Sequence, residues 1–107
     1  MDLADLTAAL RTFAEERDWE KFHTPKNLAI SVAIEAAELL ELVQWRTDEE
    51  LVDFLQTNEG QAALAEEVAD VLIYLVRLAD VTGLDLRRAA NNKIATNGLR
   101  FPPATPT

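Results

Sequence analysis

Two segments of this chain are too apolar to be ordinary surface helices. Residues 28–43 are Ala, Val, Ile and Leu, interrupted only by Ser31, Glu35, Glu38 and Glu41. Residues 68–81 have the same character, with interruptions only at Asp70, Tyr74, Arg77 and Asp80. A helix on the outside of a monomer has one apolar stripe and one polar face. A chain of 107 residues has too few other segments to cover two helices that are apolar nearly all round. The pattern predicts a helical bundle that is completed by homo-oligomerisation.

The rest of the sequence is typical of helices joined by short connections. The chain contains 3 Gly and 4 Pro, whereas β-sandwiches and barrels need many turn residues. We therefore predict an all-α bundle of four to five helices, forming a single domain over residues 1–107. The final segment, residues 101–107, is rich in proline and is predicted to be a mobile tail.

The spacing of apolar residues predicts the first helix, and capping residues predict the next two. The first helix covers about residues 3–17. Thr24 is an N-cap candidate followed by proline, which predicts a second helix over residues 25–45. Asp48 is the candidate cap of a short third helix that reaches Leu55.

Glycines predict the boundaries of the last two helices. Residues 58–60, Asn-Glu-Gly, are typical of a turn, and a long fourth helix follows over residues 61–82. Gly83 lies where a helix C-terminus favours glycine. Asp85 then caps a fifth helix, which Gly98 is predicted to close.

Composition and charge exclude several kinds of site. The chain has no cysteine, so disulfides, thiolate metal ligands and cysteine nucleophiles are excluded. Its formal net charge of −9 repels a phosphate backbone, so we expect no binding to nucleic-acid polymers. A free nucleotide could still bind, because a divalent metal inverts the local field. The acidic start at Asp2 and the short apolar runs predict a cytoplasmic protein that does not bind membranes.

Paired carboxylates interrupt both apolar segments. Glu35 and Glu38 are three residues apart in the first segment. Glu67 and Asp70 have the same spacing at the start of the second. Residues at this spacing share one helix face, with Cβ atoms about 5–6 Å apart. Burying unpaired carboxylates costs several kcal/mol, so a hard cation such as Mg²⁺ or Mn²⁺ is predicted to bind all four. Zinc fits less well, since His23 is the one histidine.

Two other classes of protein also explain parts of this pattern. Carboxylate-bridged di-iron bundles place acids on facing helices, but they usually use Glu-x-x-His pairs, and neither pair here ends in histidine. A non-catalytic helical oligomerisation or metal-binding protein would explain the apolar helices. It would leave their paired acids without a purpose. Pairs of acids at this spacing are also common on solvated helix faces. The prediction of a metal site therefore rests on the two pairs together and not on either pair alone.

Residues 34–39 and 66–75 resemble the E-x-x-E…E-x-x-D signature of the MazG-like all-α nucleotide pyrophosphohydrolases. The resemblance covers nearly the whole chain, from about residue 6 to residue 102, and its further blocks look like the dCTP pyrophosphatase branch. Those blocks are residues 17–23, 44–45 and 93–102. The branch can have a polar residue where this chain has Leu10, which leaves the base preference open.

The resemblance implies an activity and a set of site residues. A Mg²⁺-dependent enzyme would cleave an NTP or dNTP, with dCTP or a related pyrimidine dNTP favoured, to the monophosphate and pyrophosphate. It would act as a dimer or a dimer of dimers, and Glu38 is our choice for the residue that activates water. The implied metal ligands are Glu35, Glu38, Glu67 and Asp70. The implied nucleoside contacts are Trp19, His23, Trp45 and Tyr74. The implied triphosphate contacts are Lys93, Asn97 and Arg100.

Several alternatives stay open. A house-cleaning hydrolase of non-canonical nucleotides would carry the same acids. Without the resemblance, Trp19 and Trp45 would be read as core or interface anchors. Lys93 and Arg100 would be read as solvated charges near the end of the chain.

Overall fold

A computed structural model describes residues 1–105, and within this range the chain is helical with no β-strand. The predicted all-α class is therefore confirmed. The helices are α1 (Leu3–Glu16), α2 (Pro25–Val43), α3 (Asp48–Leu55), α4 (Asn58–Thr82) and α5 (Leu86–Arg100), with a 3₁₀ turn at Glu20–Phe22. None of these helices combines the length and apolarity needed to cross a membrane. The last two residues of the predicted tail, Pro106 and Thr107, lie outside the described residues.

The fold is built on one helix pair. α2 and α4 pack along each other, and α1 and α3 pack against α4. The pair is antiparallel, because His23 before the start of α2 bonds to Arg77 near the end of α4. α5 makes only sparse contacts with the other helices in residues 1–105. The α2–α4 pair is thus the most extensively packed part of residues 1–105, and it carries both acidic pairs.

The core of the single chain is thin. Leu28 and Val76 are the large side chains that are fully buried within residues 1–105. The radius of gyration is 17.2 Å, against about 13 Å for a compact domain of this length. Large apolar side chains stay exposed on both central helices, among them Leu40 on α2 and Leu72 on α4. One copy of the chain therefore leaves much apolar helix surface uncovered, as the two apolar segments predict.

Two helix starts differ from the sequence prediction. The cap of α3 is Thr47 and not Asp48: its hydroxyl accepts from the Glu50 N–H, and the Glu50 carboxylate accepts from the Thr47 N–H. This reciprocal capping box leaves Asp48 as a first-turn acid beside the positive helix end. α4 begins at Asn58, three residues before the predicted start, because Thr57 caps it through the Gly60 N–H.

The end of α5 also differs from the prediction. The helix continues through Gly98 to Arg100, so Gly98 does not close it. Prolines at 102 and 103 end it instead, because a residue before proline is disfavoured in helical geometry. The other caps are confirmed. Thr24 caps α2 ahead of Pro25, and Asp85 caps α5. Gly83 ends α4 in the left-handed region, with φ of 71°.

The glycines at 60 and 98 give a matched pair of stability predictions. A Cβ at Gly60 would lie 1.9 Å from the Phe54 carbonyl oxygen, so Gly60→Ala must push α3 away from α4. We expect it to lower the free energy of unfolding by about 1–3 kcal/mol. A Cβ at Gly98 meets open space, so Gly98→Ala should raise helix stability by about 0.5–1 kcal/mol. Thermal unfolding followed by circular dichroism measures both, and equal melting temperatures for the two variants would contradict the α3–α4 contact.

Candidate metal centre

The packing of α2 against α4 brings the four paired acids together. Glu35 and Glu38 lie on the face of α2 that meets α4, and Glu67 and Asp70 lie on the facing side of α4. One carboxylate oxygen from each of the four lies within 4.8 Å of the others. Glu38 is exposed, and the other three are half-buried. The cluster therefore has one acid at its open side and three below it.

Two oxygens of this cluster have no protein partner. Glu35 Oε2 and Glu67 Oε2 are buried and accept no hydrogen bond within residues 1–105. No Lys or Arg in that range forms an ion pair with any of the four acids. Buried oxygens without partners are costly, and a bound cation removes that cost. Four hard carboxylate donors, with neither sulfur nor imidazole among them, fit Mg²⁺ or Mn²⁺.

The electrostatics of the cluster also favour a cation. Burial raises the pKa of Glu35, and the neighbouring Glu38, Asp70 and Glu67 charges raise it further. The pKa of Glu67 is raised for the same reasons, burial first and then the charges of Glu38 and Asp70. Without a metal the site therefore holds protons more tightly than isolated carboxylates do. A divalent ion and these protons compete for the same oxygens.

Three of the predicted nucleoside contacts lie on one side of the cluster. Tyr74 is one turn beyond Asp70 on the same face of α4 and is half-buried. His23 lies further along, where its Nδ1 accepts a hydrogen bond of 3.1 Å from Arg77. The Trp19 ring lies 6.3 Å from the His23 ring, centroid to centroid. The structure thus lines up these side chains on the side of Asp70 that leads to the C-terminal end of α4.

The other four predicted contacts are not brought to the acids by a single chain. Trp45 follows α2 and is 84% exposed. The remaining three lie on one side of α5, at the spacing i, i+4 and i+7. These are Lys93, Asn97 and Arg100. No hydrogen bond or ion pair among residues 1–105 joins any of the four to the acidic cluster, and the contacts of α5 with the α2–α4 pair are at most sparse.

One buried arginine beside the site is not predicted from the sequence. Arg77 is 4% exposed, and it bonds to both His23 and Asp80. Arg11 on α1 holds Asp80 through two further bonds, and this contact lowers the pKa of Asp80. One signal could have revealed Arg77. It is seven residues after Asp70 and three after Tyr74, on the same face of an otherwise apolar helix.

Comparison with known proteins gives a matching family and several relatives. A model of the MazG-like family matches residues 30–102. dCTP pyrophosphatase 1 of Rattus norvegicus is 46% identical over 100 residues, and that of Homo sapiens is 45% identical. The alignment covers 94% of this chain, which spans 59% of the length of those relatives.

A solved structure shares the fold. It is a pyrophosphatase from Archaeoglobus fulgidus DSM 4304, 42% identical with a TM-score of 0.86. The match covers 94% of this chain and 92% of that chain. The resemblance seen in residues 34–39 and 66–75 is therefore confirmed, and the chain belongs to the MazG-like family.

Proposed function

We propose that this protein is a Mg²⁺-dependent nucleoside triphosphate pyrophosphohydrolase that releases the monophosphate and pyrophosphate. The observation that carries the proposal is the convergence of four carboxylates with two buried oxygens that lack partners. The dCTP pyrophosphatases and the archaeal pyrophosphatase, to which the chain is similar, support the same reaction class. A bound Mg²⁺ would neutralise charge on the phosphate oxygens and lower the pKa of water at the site.

The exposure of each acid suggests its role in metal binding or in water activation. Glu35, Glu67 and Asp70 are half-buried and would hold the ion together with Glu38. Glu38 is the exposed member, so it is placed to orient the attacking water and to take its proton. The water oxygen then forms a bond to phosphorus as the P–O bond that bridges the α and β phosphates breaks, and the electron pair leaves with the departing pyrophosphate or nucleoside monophosphate. Positioning and electrostatics supply most of the rate enhancement in such reactions.

The proposed substrate is dCTP or a related pyrimidine dNTP. The names of the curated relatives support this class. Trp19, His23 and Tyr74 lie on the side of the cluster where the nucleoside would extend. The Trp19 ring is 43% exposed and offers a face on which a base can stack. A cytoplasmic location, where free nucleotides are used, stays a prediction.

The proposed partner is a second copy of the chain, in a dimer or a dimer of dimers. Leu40 is five residues after Glu35, and Leu72 is five residues after Glu67. Each leucine therefore points about 140° away from the acid on its helix. Leu40 and Leu72 are both exposed on these outer sides. Association would cover them and leave the acidic faces free. It would also place Trp45 and the three polar residues of α5 near acids of the same or the neighbouring copy.

A nucleotide panel tests the reaction. The protein is incubated with NTPs, dNTPs and non-canonical nucleotides, with and without Mg²⁺, and both pyrophosphate and orthophosphate are measured. We expect pyrophosphate and the monophosphate as products, only in the presence of Mg²⁺ or Mn²⁺, and fastest with a pyrimidine dNTP. Orthophosphate as the primary product, or equal turnover without metal, would rule out the proposed reaction. Fastest turnover of a non-canonical nucleotide would keep the reaction and replace the substrate.

Thermal stability should report metal binding as a function of pH. The raised pKa values of Glu35 and Glu67 stabilise the metal-free fold below their ordinary value of 4.5, and that stability is lost as pH rises through the raised values. Mg²⁺ binds the ionised form, so it should raise the melting temperature more at about pH 8 than at about pH 5. At about 100 times its Kd it would add about 2.7 kcal/mol.

A matched control separates the cluster from other acids. Glu41 is exposed on α2 outside the cluster, so Glu41→Gln should keep the full Mg²⁺ effect. Glu67→Gln should remove most of it. A Mg²⁺ effect of equal size at both pH values, or one that survives Glu67→Gln, would count against this cluster as the metal site.

A further inference from the structure

A polar network beside the proposed nucleoside pocket has no role in the proposed hydrolysis at the acidic cluster. Arg77 is almost completely buried in α4. Its Nε donates to His23 Nδ1 at 3.1 Å, and its Nη1 donates to Asp80 Oδ2 at 2.9 Å. Arg11 reaches the same Asp80 carboxylate at 2.6 and 3.0 Å. A buried guanidinium that bonds an imidazole nitrogen has a specific chemical consequence.

The Arg77 contact determines which nitrogen of His23 carries the proton. A guanidinium has donors only and stays charged in proteins. His23 Nδ1 must therefore be the unprotonated acceptor, and the proton of the neutral ring lies on Nε2. Burial lowers the pKa of His23 and so does the Arg77 charge, with Glu20 acting weakly against them. The ring is thereby held as one neutral tautomer.

The Nε2 edge of His23 is free to bind a ligand. Within residues 1–105 Nε2 bonds to no protein group, and it is not among the fully buried unpartnered atoms. The Trp19 ring flanks the imidazole at a tilt of 58°. Arg77 is seven residues beyond Asp70, which places this edge about 10 Å further along α4 than the acids. An extended nucleotide with its phosphates at the acids would have its base at this end.

We propose that Arg77 is a positioning residue that holds His23 as an Nε2–H donor toward an acceptor atom of the nucleobase. The acceptor is a carbonyl oxygen or an unprotonated ring nitrogen, and cytosine has both. The role of Arg77 rests on the proposed function, because it assumes that a nucleotide binds along this face. The effect of Arg77 on which His23 nitrogen carries the proton does not depend on turnover.

Nuclear magnetic resonance of the imidazole nitrogens directly tests which tautomer His23 adopts. The chain has a single histidine, so its ¹⁵N signals need no assignment. In the wild-type protein near neutral pH we expect a protonated Nε2 and an unprotonated Nδ1. A non-hydrolysable dCTP analogue with Mg²⁺ should shift the Nε2–H signal, whereas inorganic tripolyphosphate with Mg²⁺ should not. A protonated Nδ1 in the wild-type protein, or equal shifts with both ligands, would overturn the proposal.

Three variants separate positioning from a merely structural role. Arg77→Leu removes the donor and leaves Asp80 paired with Arg11, so it should mix the two tautomers. Its KM should rise about 2- to 10-fold, the value of one hydrogen bond, with kcat little changed. Arg77→Lys keeps a charged donor and should restore both the tautomer and KM. Arg11→Gln breaks a bond to the same Asp80 without touching His23, so it should change neither.

The outcomes distinguish the proposals from each other. A structural role for Arg77 predicts that Arg77→Leu lowers the melting temperature while the tautomer and KM stay unchanged, and that result would overturn the inference. If Arg77→Leu does not fold, the wild-type tautomer and the two-ligand comparison still decide it. Absence of turnover on every nucleotide, together with the expected wild-type tautomer and analogue shift, would reject the proposed reaction and support the binding role of His23.

Discussion

Replacing Glu38 by Gln and Asp70 by Asn in one variant should abolish pyrophosphate release and leave the helical fold intact. Both changes keep the shape of the side chain and remove its charge. Metal ions stabilise phosphoryl transition states by several kcal/mol, and each 1.36 kcal/mol is a factor of ten in rate. We therefore expect a loss of about 1,000-fold or more, measured as Mg²⁺-dependent pyrophosphate release from dCTP.

The melting temperature of the metal-free protein provides a second, independent test of this prediction. The four carboxylates repel one another when no metal is bound, as the raised pKa values of Glu35 and Glu67 indicate. Removing two of the charges should leave the melting temperature of the metal-free protein unchanged or higher. A matched control is Glu41→Gln with Glu66→Gln, two exposed acids on the same helices outside the cluster. If the cluster variant keeps full activity, these acids have no catalytic role and the proposed metal site is wrong.

Placing a lysine on the outer side of either central helix should break the assembly. Leu40 is 54% exposed in the single chain and Leu72 is 42% exposed. In the proposed oligomer both would be covered, and an unpaired charge there costs several kcal/mol. We expect Leu40→Lys or Leu72→Lys to reduce the mass measured by light scattering to that of one chain. The melting temperature should fall by more than about 10 °C.

The control for this prediction is an exposed apolar residue in an acidic setting. Val52 lies on α3 near Asp48, Glu49 and Asp53, so Val52→Lys should change neither mass nor melting temperature. A wild-type protein that has the mass of one chain in solution would contradict the proposed partner. So would a Leu72→Lys variant that keeps the wild-type mass.

The parts of the fold that the sequence predicts are those with strong local patterns. α2 and α4 follow from their apolar density and length. The meeting of the acids follows from spacing, because each i, i+3 pair occupies one face and interrupts the most apolar stretches. Thr24, Gly83 and Asp85 were recognisable caps, since capping chemistry is local.

The parts that could not be predicted depend on distant packing. The sequence predicts a turn at Gly60, and only the approach of the Phe54 carbonyl explains why the first turn of α4 needs a glycine. Arg77 stands in the sequence as a single basic residue inside an apolar segment, with no local motif that predicts a role for it. Its role depends on His23, which is 54 positions away in the chain. The position of α5 relative to the acids could not be deduced either, because the described helices of one chain hardly touch it.

The division of α2 and α4 into an acidic side and an apolar outer side restricts how these helices can change. Each residue added to a helix turns everything after it by about 100°. An insertion or deletion of one residue between Leu28 and Glu35, or between Asp70 and Arg77, would therefore rotate one functional surface against another. Point substitutions can be accepted singly, but changes of length inside these helices should be tolerated only at their ends. We expect a scan of single-residue insertions along the chain to find viable proteins in the α2–α3 and α4–α5 connections and none within the central pair.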